Sequence, residues 1–146
     1  MKSFTIYAEP VGKVNMRPVT MSGKMSLVQP KTNSNYMTMV KNAYLQAHGN
    51  YMFEADKPLE LTIRAYYSIP KNTAKYKIPL MEKGEIRPTK KPDCDNISKI
   101  VCDSLNKLAF ADDSQIVSLR VYKYYSKQPC VTVSIEEFIY DEPLLD

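Results

Sequence analysis

Between Leu59 and Tyr67 every second residue is apolar: Leu59, Leu61, Ile63, Ala65 and Tyr67 alternate with Glu60, Thr62, Arg64 and Tyr66. A period of two commits this segment to a strand with one buried face, which ends before Pro70. Two other segments carry the helical period. Tyr36, Met39, Val40, Ala43, Tyr44 and Ala47 form an apolar stripe at three- and four-residue spacing, with Gly49 placed to end it. Farther along, Ile97, Ile100, Val101, Leu105 and Leu108 fall on one side of a helical wheel, and Asp95, Lys99 and Asn106 on the other. This second helix is expected to begin at Asp93 or Asp95, where an Asx side chain can accept first-turn backbone N–H groups.

The remaining periodic segments are short. Phe4, Ile6 and Ala8 alternate with polar neighbours in a strand closed by Pro10, and residues 11–30, with Lys13, Arg17 and Lys24 among prolines and glycine, read as an extended loop. Val117, Leu119 and Val121 alternate, as do Val131, Val133 and Ile135. Separated by Ser126 to Pro129, these two runs predict an antiparallel hairpin. The expected fold is α+β: a single mixed β-sheet of about four strands packed with two main helices, in the order β-α-β-(basic loop)-α-β-β. At 146 residues the chain has the size of one domain, 1–146.

Composition excludes several classes of function. No apolar run approaches the roughly 18 residues of a membrane span, and the N-terminus lacks a signal-peptide stretch, so an interior, cytoplasmic location is expected. Cys94, Cys102 and Cys130 form no CxxC pair and are odd in number, which argues for reduced thiols rather than a disulfide framework or a zinc knuckle. His48, the only histidine, stands beside Gly49 at the expected helix end, in a structural position. Triads that need an imidazole base have no second histidine to draw on.

Charge is distributed unevenly. Residues 71–91 hold seven cations, Lys71, Lys75, Lys77, Lys83, Arg87, Lys90 and Lys91, against Glu82 and Glu85, a net +5. Residues 136–146 hold Glu136, Glu137, Asp141, Glu142 and Asp146, a net −5. The basic run leads directly into Asp93, Asp95 and Lys99, followed by Asp112-Asp113-Ser114-Gln115. Carboxylates are hard oxygen ligands suited to Mg²⁺ or Mn²⁺, and lysines attract the phosphate chain that carboxylates alone repel. Phosphate-ester cleavage is the chemistry this grouping supports.

Each feature also has a bland reading. Asp93 serves as an N-cap, Asp95 opposes the helix dipole, Lys99 pairs with a carboxylate one turn away for about 0.3 to 0.5 kcal/mol, and Asp112-Asp113 makes a turn. Convergence of Asp93, Asp95 and Asp113 would place bare carboxylates against one another, at a cost of roughly 4 kcal/mol for two of them about 4 Å apart at an effective dielectric near 20. A divalent cation relieves that repulsion. A helix from Asp95 to Leu105 rises about 15 Å, and the eight further residues to Asp113 span at most about 27 Å, so return within one chain is feasible. A helix continuing to Leu108 leaves only about 17 Å of chain against a rise of about 20 Å. Asn106 in a left-handed cap would stop it in time. Whether Asp113 serves its own chain or a neighbour stays open.

At these residues the chain resembles the RusA family of Holliday-junction resolvases. The matching residues are Lys91-Pro92-Asp93-Cys94-Asp95-Asn96, Lys99, Asp103-Ser104-Leu105-Asn106 and Asp112-Asp113-Ser114-Gln115, with a looser match at Pro10-Val11-Gly12-Lys13 and Arg17-Pro18, the family's basic loop. The resemblance implies a homodimeric, Mg²⁺-dependent endonuclease, with Mn²⁺ as a substitute, that cuts a four-way DNA junction symmetrically during recombination and repair. By position, Asp93, Asp95 and Asp113 match the metal-binding acids and Lys99 the catalytic lysine, and Asp112 is a weaker candidate. Lys13, Arg17, Lys71, Lys75, Lys77, Lys83, Arg87, Lys90 and Lys91 are the expected DNA-binding cations. Many members carry glycine where this chain has Lys107. The family context implies a bacterial or prophage source. The rival readings are a non-catalytic branched-DNA-binding protein on the same scaffold and a Ca²⁺-stabilised structural domain, the latter without EF-hand spacing.

Overall fold

A computed structural model describes residues 1–28, 30–140, 142, 143 and 145; Asp141 and Asp146 of the acidic C-terminal run lie outside the described residues. The elements in chain order are β1 (Lys2–Ile6), β2 (Arg17–Met21), β3 (Lys24–Val28), α1 (Lys31–His48), β4 (Leu59–Ser68), α2 (Lys77–Glu82), α3 (Cys94–Leu105), a 3₁₀ turn at Asp113–Gln115, β5 (Ile116–Ser126) and β6 (Cys130–Glu137). The main sheet is mixed and four-stranded, in the order β1-β6-β4-β5, with β5 parallel to β4 and the other pairings antiparallel. This is the expected α+β architecture.

The alternation on β4 sets the core. Leu59, Leu61, Ile63, Ala65 and Tyr67 are buried on the face that also receives Phe4, Ile6, Val131, Val133 and Ile135. α1 contributes Tyr36, Val40 and Tyr44, and α3 contributes Ile97, Ile100, Val101 and Leu105, to the same cluster. Each fully buried aliphatic side chain stabilises this packing by about 1.5 to 3 kcal/mol. α1 ends as its composition requires: Gly49 takes φ 61° and its N–H donates to the Leu45 carbonyl at 2.8 Å. His48 accordingly has a structural contact, its Nε2 lying 2.8 Å from the Ser3 carbonyl oxygen.

Several expectations need correction. The predicted hairpin of β5 and β6 does not form, because β4 lies between them: Ile63 aligns with Val121 on one side and Val133 on the other. The two strands do run in opposite directions. Their connection spans two strand spacings, about 10 Å, which the four Cα steps from Ser126 to Cys130 cover with a reach of about 13 Å. Burial of β4 on both edges decides the matter, since its apolar row is the most completely covered in the sheet.

Residues 11–30 are not wholly loop, for β2 and β3 pair there as a second, two-stranded sheet. Its turn is Ser22-Gly23, both at positive φ (52° and 74°), the two-residue geometry that matches strand twist. Nearly all its side chains are exposed, so no alternation marks it in the sequence. α1 starts at Lys31, before the first apolar stripe residue, and β1 lies at Lys2–Ile6 rather than 4–8. Within the basic segment, α2 forms despite Pro79 because a first-turn proline forfeits no intrahelical hydrogen bond. Finally, Asn106 is extended (φ −60°, ψ 128°), and it is Lys107 that occupies the left-handed region at φ 64°.

Candidate nuclease site

α3 begins at the motif. Asp93 is its N-cap, and the Oδ1 atom accepts the Asn96 N–H at 2.8 Å. Asp95, one residue into the helix, is held by Lys99 at 3.0 Å, one turn on. Both partners of that pair are largely exposed, so it contributes only about 0.3 to 0.5 kcal/mol and yields easily to a stronger ligand. The residue before the helix is also fixed: the Tyr67 hydroxyl donates to the Pro92 carbonyl oxygen, which ties the last buried position of β4 to the start of the motif. Burial, and then the negative groups nearby, raise the Tyr67 pKa and keep that phenol protonated as a donor. The Lys91–Pro92 peptide is cis.

The Asp112-Asp113-Ser114-Gln115 turn divides its labour. Asp112 accepts the Ser114 N–H at 3.0 Å, and that bonding lowers its pKa. Gln115 accepts the Ala111 and Asp112 N–H groups and donates to the carbonyls of Glu54 (2.9 Å) and Lys57 (3.1 Å). Asp112 and Gln115 thereby hold the shape of the turn. Asp113 instead lines a cavity of about 270 Å³ together with Ser98, Lys99, Cys102, Asp103, Ile116 and Leu119. Burial, reinforced by Asp113 and Asp103, pushes the Cys102 thiol up to about 12.

Lys99 thus touches Asp95 on one side and shares a cavity with Asp113 on the other. The structure does not gather all three expected acids: among the described residues, no three carboxylate, thiol or imidazole side chains stand close enough to hold a metal ion within one chain.

A larger cavity, about 650 Å³, adjoins the motif and is lined by Pro10, Val11, Gly12, Lys13, Val14, Asn15, Lys91, Pro92, Asn96 and Lys99. It brings residues 10–15, after β1, against the start of α3. The Lys13 N–H donates to the Asn96 carbonyl at 2.9 Å, and the Lys13 ammonium forms a half-buried ion pair with Asp103. Asn33, fully buried at the start of α1, clamps the same segment, accepting from the Val14 N–H at 3.1 Å and donating to its carbonyl at 2.7 Å. Asn33 escapes sequence reasoning, as do the long-range contacts of Gly12 and Tyr67. Each matters through a contact with a distant segment, and none breaks the local pattern.

The expected DNA-binding cations are spread. Arg17, Lys71, Lys75, Lys77, Lys83, Lys90 and Lys91 are exposed. Lys91 borders the larger cavity, Lys13 is committed to Asp103, and Arg87 donates to the carbonyls of Gly84 and Lys123. Among the described residues no helix is long and apolar enough to cross a membrane.

Residues 8–136 match the family model of the endodeoxyribonuclease RusA. The chain is 37% identical over 136 residues to the uncharacterized protein YqaN of Bacillus subtilis, covering 92% of this chain and 94% of that protein. It is 27% identical over 116 residues to the crossover junction endodeoxyribonuclease rusA of Lactococcus phage r1t, covering 79% and 80% respectively. With the match running from just after β1 to residue 136 in β6 and including every residue of the candidate site, the chain belongs to the RusA endodeoxyribonuclease family.

Proposed function

We propose that this protein is a divalent-metal-dependent endonuclease that resolves Holliday junctions by paired, symmetric phosphodiester cleavage, acting as a homodimer on branched DNA in recombination and repair. The observation that carries this reading is the position of Lys99 between Asp95 and the cavity that holds Asp113. A lysine so placed can stabilise charge on phosphate oxygens while the acids serve a cation. The homodimer follows from the need to cut two opposed strands, which one site cannot do together. A cytoplasmic location, in a bacterium or encoded by a prophage, fits substrate and relatives alike.

The donor set suits Mg²⁺, with Mn²⁺ as a substitute. Asp93, Asp95 and Asp113 are exposed hard-oxygen donors, and Mg²⁺ is commonly held by one or two carboxylates plus substrate phosphates rather than by a closed protein cage. The incomplete cluster in a single chain is consistent with a site finished by the DNA phosphate or a second subunit. When bound, the ion would polarise a phosphoryl oxygen and lower the pKa of a water. Asp93 and Asp95 would hold it at the start of α3, and Asp113 from the 3₁₀ turn. Lys91, beside the 650 Å³ cavity, would draw in the strand.

The test is a synthetic four-way junction incubated with Mg²⁺, with products mapped on all strands. Paired opposed nicks are expected, and Asp93→Asn or Asp113→Asn should bind the junction without cutting it. Wild-type cutting by either variant would refute the metal assignment. Binding by the wild type without any cuts would return the protein to the non-catalytic reading, which the failure of the three acids to meet in one chain keeps as the alternative.

A further inference from the structure

The face of the main sheet turned away from α1 and α3 carries Arg64 and Tyr66 on β4 beside Tyr122 and Tyr124 on β5, paired in register as Arg64 with Tyr122 and Tyr66 with Tyr124. The Tyr66 and Tyr124 rings stack, with centroids 5.1 Å apart and planes 17° from parallel. Tyr122 continues the row, 6.3 Å from Tyr124 and tilted by 32°. The Arg87 guanidinium lies 4.0 Å from the centroid of Tyr124, and that of Arg64 lies 5.3 Å from the centroid of Tyr122. Glu60 on the same face is engaged by Arg120 at 3.2 Å, whereas among the described residues neither Arg64 nor Arg87 forms an ion pair with a carboxylate. Next to Tyr66 opens a groove of about 230 Å³, lined also by Glu82, Tyr125, Ser126 and Lys127.

We infer that this row of tyrosines is a stacking platform for unpaired bases of single-stranded DNA, with Arg64 meeting the phosphates that accompany them and Arg87, held by the Gly84 and Lys123 carbonyls, bracing Tyr124. Tyr124 is covered by Tyr66 and Arg87, while Tyr122 is exposed and Tyr66 partly so; a base can stack on those two rings, and the Arg64 guanidinium at the margin combines stacking with phosphate pairing. A duplex keeps its bases stacked on one another, so the platform selects strands that are open. The surface lies across the sheet from the acids of α3 and does not depend on their role. It would let the protein hold an unpaired strand while the opposite side of the sheet engages other DNA.

The experiment measures binding of a fluorescein-labelled oligothymidylate to the full-length protein by anisotropy, beside a blunt duplex. With no tryptophan in the chain, tyrosine fluorescence reports on the same event. Wild type should bind the oligothymidylate with quenching of tyrosine emission. Tyr66→Val and Tyr124→Val keep residues suited to a strand and should each weaken that binding about 10-fold. They should change duplex binding little, and Tyr66→Phe should restore wild-type affinity. Unchanged oligothymidylate affinity in both valine variants would overturn the proposal, as would absence of binding by the wild type. A valine variant that lowers the sedimentation coefficient would also overturn it, by showing the face to be covered by a second copy of the chain. Failure of junction cleavage in the acid variants bears on the metal site alone, so the two readings fail separately.

Discussion

Gly12 and Asn96 are in close contact: a Cβ built on Gly12 would stand 2.9 Å from the Cβ of Asn96 and 2.6 Å from that of Pro92. The N-terminal segment is thereby pressed onto the first turn of α3, with no room between them for a side chain. Gly12→Val should therefore destabilise the protein by about 1 to 3 kcal/mol through overpacking. Urea denaturation reads this as a lower midpoint, and a midpoint equal to wild type would mean that the segment is free to lift away.

Asp93 has two roles to separate. As N-cap it accepts the Asn96 N–H, a task asparagine performs equally well, so Asp93→Asn should leave the thermal midpoint nearly unchanged. Asp93→Ala should cost about 1 kcal/mol. Both variants should lose cleavage. Activity that tracked stability instead, surviving in the asparagine variant, would reduce Asp93 to a cap.

Lys90 and Lys91 stand exposed at the entry to the motif. Replacing both by alanine removes two cations from the proposed phosphate contact, so the slope of log K against log salt should flatten by about 1.8 for junction DNA. An unaltered slope in a salt titration would take both residues off the DNA surface.

Lys107 holds φ 64°, a conformation that suits glycine far better than a side chain. Lys107→Gly should raise stability by up to about 1 kcal/mol, read as a higher Tm. A lower Tm would show that the lysine contributes a contact that outweighs its backbone strain.

Cys102 yields a pH prediction. Burial raises its folded pKa to about 12, above the value in the unfolded chain, so the native state keeps a proton that the unfolded state releases. Its contribution is complete below the unfolded thiol's pKa and declines as pH rises toward about 12. Urea melts at increasing alkaline pH should therefore show a shallower loss of stability in Cys102→Ala than in wild type. Equal slopes would assign the alkaline loss to the buried tyrosines, whose pKa values burial also raises.

The periodicities of β4, α1 and α3 were legible because each buries one face, and burial writes itself into the order of residues as a repeat of two or of about 3.6. The motif acids and Lys99 were legible for a related reason: a helix start and a tight turn are local, and their Asx and glutamine chemistry appears at fixed spacing. What the chain order does not express is adjacency between distant segments. That β4 separates β5 from β6, that Gly12 and Lys13 dock on α3, and that Tyr67 holds Pro92 depend on which apolar surfaces meet when the core closes. The exposed β2–β3 hairpin was hidden because a segment that buries almost nothing leaves no apolar period to read. Likewise the sequence supplied three acids and a lysine, but only the tertiary structure placed Lys99 between Asp95 and the cavity of Asp113, since the approach of the 3₁₀ turn to α3 is set by packing rather than by spacing.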